Sequence, residues 1–355
     1  MFRDLKALLR LTGLKNTITA GFLLILSVSF PVFADFATIL IYHKFGEDKY
    51  PTTSVSMEDF KKQMDYLNKN NFNVIPLSKL VDILQRKEDI PPKTVVITID
   101  DGYKSTMRAY KILKKYRFPF TVFLYMEGVG RYPDYLTQKQ IEMLKKDPLV
   151  EFGNHSYSHR RFAKILKKMD LKSYKTLIVE DTLKAERRLK KLLGYVPKVY
   201  AFPYGEYTRP MIQVLKEMGY KALLTQDPQN VSKDTPLYLI HRQPIVGSWA
   251  KMKHFKDVLN TEVLPVVKHS PPIGYLTKNP PDIWAEVKNI QIYKNCGIYI
   301  SELGWIKAEK KRSRLFINLK KPLKRWKNRI GITCWNIKTK RKSTFFWSIY
   351  NREGK

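Results

Sequence analysis

The stretch Thr94-Val95-Val96-Ile97-Thr98-Ile99-Asp100-Asp101-Gly102-Tyr103 decides the fold, because an unbroken β-branched run is typical of a strand buried in a parallel sheet. The run ends in two adjacent carboxylates. Successive side chains of a strand point to opposite faces, but Gly102 permits a tight bend that can bring both acids to one cavity. Two carboxylates at such a short distance repel each other, which favours either a raised pKa for one of them or a cation bound beside them. The alternative is a polar turn that only precedes the next helix.

A histidine pair lies further along the chain, in Asn154-His155-Ser156-Tyr157-Ser158-His159. His155 and His159 are four positions apart, so we expect them on one helical turn with both imidazoles facing the same way. One carboxylate and two imidazoles form a three-ligand set for a borderline metal such as zinc, with positions left for water and substrate. The alternative is a pair of solvated surface histidines, since the chain contains six histidines.

The N-terminal segment has the order of a secretory signal. Four basic residues fall within the first sixteen positions, and Thr17 to Ala34 is nearly free of charge. We predict that residues 1–34 are a signal peptide cleaved after Ala34, which places the protein in the periplasm or outside the cell. The alternative is an uncleaved membrane anchor.

Composition narrows the classes of function. The chain has 355 residues with 44% hydrophobic content, enough for one large core or two smaller ones, and a net charge of +33. The basic residues are scattered along the chain, and an exported protein does not meet nucleic acid. We therefore expect the positive charge to face an anionic envelope surface and not nucleic acid. Cys296 and Cys334 form an even pair, whose bridging the sequence leaves open.

Strand and helix patterns alternate from residue 36 to about 224. This alternation predicts a distorted (β/α)7 barrel within residues 35–262. Barrel chemistry takes place at the C-terminal ends of the strands. The residues that follow predicted strands are His43, Asp100, Asp101, His155 and Tyr204. One barrel mouth can therefore collect them.

The pattern changes after residue 262 to short alternating strands separated by Pro-rich segments. We predict a small all-β, sandwich-like domain over residues 270–355 that folds separately. We expect it to modulate attachment to glycan or envelope without contributing to the chemical step. Its tryptophans, Trp305, Trp326, Trp335 and Trp347, are expected mainly in the core.

The two motifs together carry a family resemblance. Thr98-Ile99-Asp100-Asp101-Gly102 followed by His155-Ser156-x-x-His159 resembles the first two motifs of the polysaccharide deacetylase (NodB homology) family, carbohydrate esterase family four. The resemblance covers roughly residues 36 to 250 and implies a barrel of NodB type. It also implies a divalent metal, with zinc preferred, held by Asp101, His155 and His159. Asp100 would be the general base.

The family's third motif supplies a backbone amide for the oxyanion. Phe202-Pro203-Tyr204-Gly205 matches it, which makes Tyr204 the candidate donor beside Pro203. Many family members carry an arginine two residues before this proline, where it contacts the catalytic aspartate. Here that position is Ala201, so the sequence does not say how Asp100 is oriented.

A further departure concerns the general acid. Family members usually end the domain with a Leu-x-x-His strand, and no such strand precedes residue 262. Instead, Tyr42-His43-Lys44-Phe45 resembles the first strand of a permuted branch that includes deacetylases acting on poly-N-acetylglucosamine. By that resemblance His43 is the acid that protonates the leaving amine. His241 is its rival.

The resemblance implies an exported, metal-dependent hydrolase that removes N-acetyl groups from an N-acetylglucosamine-containing polysaccharide of the envelope or the extracellular matrix. The expected partner is that N-acetylated polysaccharide. The alternatives are a deacetylase of peptidoglycan, chitin oligosaccharide or xylan, and a non-catalytic polysaccharide-binding protein.

Overall fold

A computed structural model of the protein describes residues 36–354. The predicted signal peptide, residues 1–34, lies outside the described residues. Within the described part, no helix has the length and apolar character that crossing a membrane requires.

A sheet of parallel strands forms the first part of the fold. In chain order these strands are β1 (Ala37–Tyr42), β2 (Thr94–Ile99), β3 (Phe120–Leu124), β4 (Val150–Asn154), β5 (Val199–Ala201), β6 (Ala222–Leu224) and β7 (Gln243–Pro244). They are ordered β7-β1-β2-β3-β4-β5-β6, and the short strand Asn73–Val74 also pairs with β2. A backbone hydrogen bond from Thr225 to the Ile240 carbonyl, 2.8 Å, ties the end of β6 to the segment before β7. The predicted distorted (β/α)7 barrel is confirmed.

Helices surround this sheet. They are α1 (Met57–Lys69), α2 (Leu77–Arg86), α3 (Thr106–Tyr116), α4 (Gln138–Lys145), α5 (Leu171–Leu193), α6 (Arg209–Glu217) and α7 (Met252–Leu259), with a single turn at Phe162–Ile165. In α1, the Ser56 hydroxyl caps the first turn by accepting the Asp59 N–H. Phe60, Met64 and Leu67 recur at helical spacing and are fully buried in the core.

The register of the strands aligns the residues that follow them. Tyr42 of β1 lies opposite Ile99 of β2, so His43 and Asp100 leave the sheet side by side. Asn154 of β4 lies opposite Tyr200 of β5, and His155 follows directly. The C-terminal ends of these parallel strands meet at the same edge, as the sequence predicts.

Antiparallel strands form the C-terminal region. One sheet contains β10 (Tyr293–Ile300), β11 (Gly304–Lys307), β14 (Lys327–Asn336) and β15 (Arg341–Tyr350), and the short strands Glu262–Val263 and Gly274–Tyr275 pair with β15. The other is ordered β8 (Val266–Ser270), β9 (Ile283–Val287), β13 (Arg314–Ile317) and β12 (Glu309–Lys311). Side chains of both sheets share one hydrophobic core, which confirms the sandwich-like prediction.

The structure shows how the two cysteines pair and which tryptophans of the C-terminal region are buried. Cys296 on β10 and Cys334 on β14 form a disulfide. Trp347 is 1% exposed and Trp326 is 9% exposed. Trp305 and Trp335 are 57% and 40% exposed, so for these two the expectation of a core position is wrong. Both lie on strands of a sheet with one face in the shared core, and alternation turns their side chains away from it.

Candidate metal and catalytic site

Asp100 and Asp101 follow β2 and are both buried. The bend that brings them together uses left-handed backbone at Asp101 (φ 72°) and at Gly102 (φ 71°). A Cβ on Gly102 would lie 2.9 Å from the Leu124 side chain, so glycine also permits the close approach of β3. The turn therefore does what the sequence predicts, although Asp101 shares the unusual backbone with Gly102.

Three side chains converge at this edge of the barrel. Asp101, His155 and His159 each offer a ligand atom, and these atoms lie within 4.8 Å of one another. The Nε2 atoms of both histidines are 3.2 Å from Asp101 Oδ1 and 3.3 Å from each other. Among the described residues, these three are the one set of His, Cys, Asp or Glu residues that could hold a metal ion, and they form the candidate metal-ligand group.

The details of the group fit a cation. His155 Nδ1 lies 2.8 Å from the Ala201 carbonyl, so it donates its proton there and leaves the Nε2 lone pair facing the group. Asp101 Oδ1 is buried, and no well-aligned hydrogen bond from a described residue reaches it. Burial alone would raise the pKa of Asp101, but His155, His159 and His43 together hold that pKa well below its ordinary value.

The segment that carries the two histidines is a loop, so the prediction of one helical turn is wrong. The Asn154 side chain accepts the Ser156 N–H, and the Ser156 hydroxyl accepts the His159 N–H, each at 2.8 Å. Asp181 on α5 accepts the N–H groups of Tyr157 and Ser158, the former at 2.9 Å. These side-chain bonds replace helical ones, and a left-handed His159 (φ 48°) still brings its ring to the site.

Arg242, which the sequence pattern does not single out, orients Asp100. Its Nη1 and Nη2 atoms donate to Oδ1 and Oδ2 of Asp100 at 2.7 and 2.8 Å, and neither side chain is exposed. Arg242 Nη1 also lies 3.2 Å from the Thr98 hydroxyl, and Nε donates to the Thr225 carbonyl. Ala201 therefore leaves no gap, because an arginine just before β7 takes the place of the missing one.

The charge state of Asp100 follows from these neighbours. Burial raises its pKa, but Arg242 and His155 outweigh that effect and the pKa lies below its ordinary value. Asp100 Oδ2 is 3.8 Å from His155 Nε2, so the carboxylate borders the metal-ligand group without belonging to it. The structure thus separates the two carboxylates into one candidate metal ligand and one Arg-paired anion.

The two candidate acids occupy different places. His43 follows β1, and its pKa is lowered by burial while Asp101 and Asp100 oppose that shift. Its Nδ1 is buried and forms no hydrogen bond with a described residue. Burial lowers the pKa of His241 to about 4, and the charged groups acting on it are Asp227 and His269 instead of the site carboxylates. His43 therefore faces the site and His241 does not.

The third motif borders the same group. Pro203 is buried, whereas Tyr204 is 43% exposed and adopts a left-handed backbone (φ 57°, ψ 12°). The Tyr204 ring lies 4.6 Å from the His159 ring, and the Tyr125 ring lies 5.3 Å from it. Tyrosines therefore flank the exposed side of the metal-ligand group.

Comparison with known proteins agrees with this geometry. The sequence profile of the family described as Polysaccharide deacetylase matches residues 87–223, a range that includes Asp100, Asp101, both loop histidines and Tyr204. The range begins after His43 and ends before Arg242.

Individual relatives of the chain are also named as deacetylases. The chain is 27% identical over 214 residues to the poly-β-1,6-N-acetyl-D-glucosamine N-deacetylase of Staphylococcus aureus, covering 59% of this chain and 73% of that protein. Among solved structures, it resembles IcaB from Ammonifex degensii with a TM-score of 0.53 and 25% identity, covering 64% of this chain and 96% of that one. The deacetylase PplD of Streptococcus pyogenes shares the fold, with a TM-score of 0.56 and 19% identity over 64% of this chain and 99% of that one. The chain therefore contains a polysaccharide deacetylase domain of the NodB type.

Proposed function

We propose that the protein is a zinc-dependent N-deacetylase acting on an exported polysaccharide that contains N-acetylglucosamine. The observation that carries this proposal is the convergence of Asp101, His155 and His159 beside the ion pair of Asp100 and Arg242. The substrate class is supported by the S. aureus relative, which is named for deacetylating poly-β-1,6-N-acetyl-D-glucosamine. The export part rests on the signal-like pattern of residues 1–34.

One carboxylate oxygen and two imidazole nitrogens would hold the metal. This donor set suits zinc and leaves positions open, as catalytic sites require. The hydrogen bond from His155 Nδ1 to the Ala201 carbonyl leaves Nε2 as the nitrogen that would bind the ion. A cation bound there supplies a Lewis acid that polarises the acetamide carbonyl and lowers the pKa of water.

Asp100 is the proposed general base. Its pairing with Arg242 keeps the carboxylate ionised and fixes its direction, and each oxygen retains a lone pair after accepting one N–H. Asp100 takes a proton from the water molecule as the water oxygen bonds to the acetamide carbon. The Tyr204 N–H is the proposed donor to the oxygen that gains negative charge in this step.

His43 is the proposed general acid. The C–N bond breaks as the amine nitrogen takes a proton from His43, because an amide anion is too poor a leaving group to depart unprotonated. The products are acetic acid and the free amine, which exchange a proton to give acetate and an ammonium sugar. The proton held by Asp100 returns to His43 through solvent, which restores both side chains. The placement of His43 beside Asp100 at the end of β1 supports this role.

The mouth of the barrel offers a surface for sugar rings. Tyr103 and Tyr135 stack with centroids 4.9 Å apart, and Lys44 Nζ lies 3.5 Å from the Tyr103 ring centroid. Both tyrosines are half-buried, and tyrosine rings pack well against the apolar faces of pyranose rings. We propose that the two tyrosines bind sugar units next to the one that is hydrolysed.

Acetate release from a panel of glycans tests the proposal. The purified protein, loaded with zinc, is expected to release acetate from β-1,6-linked N-acetylglucosamine polymer, and Asp101→Ala to release none. Release confined to peptidoglycan, chitin oligosaccharide or O-acetylated xylan would replace the substrate. A protein that binds stoichiometric metal yet releases acetate from no glycan would be a polysaccharide-binding protein instead.

A further inference from the structure

The start of β14, in the C-terminal β region, lies against the third-motif turn. Lys327 Nζ donates a hydrogen bond to the Tyr204 carbonyl at 3.0 Å, and its side chain is only 16% exposed. The same ammonium group is 3.7 Å from Glu206 Oε1. One lysine of the β region therefore contacts both the proposed oxyanion residue and the carboxylate two positions later.

Arg161 completes this contact from the barrel side. Its Nε donates to Glu206 Oε1 at 3.0 Å, and the Glu206 side chain is fully buried. The Arg161 guanidinium carbon lies 5.1 Å from the ring centroids of both Tyr204 and Trp326. Cation–π contacts thus connect Trp326, the residue just before β14, to the ring of Tyr204.

The turn at Tyr204 needs support of this kind. A left-handed backbone (φ 57°, ψ 12°) is uncommon for a bulky residue and persists only where the surroundings hold it. The position of the Tyr204 N–H depends on this backbone. A donor displaced by as little as an ångström loses much of its effect on the transition state.

We propose that the C-terminal β region is part of the catalytic unit, with Lys327 as a positioning residue that holds the Tyr204 turn in its active geometry. This proposal rests on the proposed deacetylase function. It differs from the sequence prediction that the β domain contributes nothing to the chemical step. Burial lowers the pKa of Lys327 to about 8, with Arg329 adding to that shift and Glu206 and Asp227 opposing it. Lys327 is therefore still mostly protonated at neutral pH and able to bridge the carbonyl and the carboxylate.

Point variants in the full-length chain test the proposal. Lys327→Met removes the donor and the charge, and Lys327→Arg keeps both. Lys310→Met is the matched control, because Lys310 Nζ also donates to a carbonyl, that of Ile290, within the β region. We expect Lys327→Met to lower kcat about tenfold or more with little change in KM, Lys327→Arg to retain most activity, and Lys310→Met to behave as wild type.

A second readout separates positioning from general destabilisation. The inhibition constant of a tetrahedral phosphonate analogue of the substrate is expected to rise in Lys327→Met by the same factor as kcat/KM falls, with zinc content unchanged. Values of kcat and inhibition equal to those of the control, or a change in KM alone, would overturn the proposal. Should Lys327→Met not fold, Lys327→Gln is measured instead with the same expectations.

Failure of the proposed function has its own signature. A wild-type protein inactive on every glycan overturns the function, and amide hydrogen exchange of residues 203–206 then decides the role of Lys327. Faster exchange there in Lys327→Met than in Lys310→Met supports the positioning role, and equal exchange refutes it.

Discussion

Arg242 offers the sharpest perturbation of the site. Arg242 and Asp100 have no exposed side-chain surface and share two hydrogen bonds of 2.7 and 2.8 Å. Arg242→Met leaves a carboxylate buried without its cation, which costs about 3–5 kcal/mol of folding free energy unless the carboxylate takes up a proton. Protonation removes the base, so turnover near neutral pH is expected to fall roughly 10²–10⁴-fold.

The pH dependence of this loss has a defined sign. Arg242 is one of the groups that lower the pKa of Asp100. Without Arg242 that pKa rises, so the acidic limb of the rate profile is expected to move to higher pH and activity to recover partly as pH increases. Acetate release measured across a pH series, with zinc content checked at each point, follows this shift. Arg242→Lys keeps the charge but loses the two-bond geometry, and it should lie between wild type and Arg242→Met.

A double-variant cycle shows whether Arg242 acts through Asp100. The variant Asp100→Asn/Arg242→Met is expected to be no slower than Asp100→Asn alone. In urea unfolding, it should regain part of the stability lost in Arg242→Met, because position 100 then carries no buried charge that lacks its partner. A near-wild-type rate and pH profile in Arg242→Met would refute the reasoning. So would rate losses that multiply in the double variant.

The other predictions concern the histidines. His155→Ala is expected to lower zinc content far below one ion per chain in elemental analysis, whereas unchanged content would mean that the metal lies elsewhere. His43→Asn is expected to lower turnover by roughly two to four orders of magnitude with zinc retained; a fall of only a few-fold, or an equal collapse in His241→Asn, would remove His43 as the acid. His241 has a folded pKa of about 4 against 6.5 for the free side chain, so the unfolded chain binds its proton first as pH falls. Above pH 6.5 the titration of His241 does not change the free energy of unfolding. As the pH falls from 6.5 to 4, this titration lowers the free energy of unfolding progressively, by about 3 kcal/mol in all. His241→Asn should therefore flatten the pH dependence of urea unfolding in that window, and an unchanged slope would contradict the burial of a neutral histidine.

The sequence predicts the barrel well because local patterns report on local structure. The run from Thr94 to Ile99 is β2, with the bounds that its β-branched residues suggest, and Leu77 to Arg86 is α2. The carboxylate pair and the two histidines can be singled out because their motifs follow strand ends, and parallel strands share an edge. The choice of Asp101 over Asp100 as the candidate metal ligand rests on the family resemblance.

What the sequence does not show depends on contacts between distant residues. Arg242 is 142 positions from Asp100, and nothing in His241-Arg242-Gln243-Pro244 distinguishes it from a surface arginine. Two features together could have pointed to Arg242. The family arginine is missing at Ala201, and Arg242 is an arginine that follows an apolar segment near the end of the domain. The spacing of His155 and His159 predicts a helical turn because it does not show that the Asp181 carboxylate, which replaces the helical hydrogen bonds, comes from α5.

The measurement that tests the central claim most directly compares wild type with Asp100→Asn on β-1,6-linked N-acetylglucosamine polymer, with zinc content matched. Acetate and free amine are quantified together, since hydrolysis of the amide yields one of each. We expect the wild type to release both in equal amounts and Asp100→Asn to bind zinc as well but to turn over roughly 10²–10⁴-fold more slowly. Equal rates in the two proteins, or no acetate from the wild type, would contradict the account.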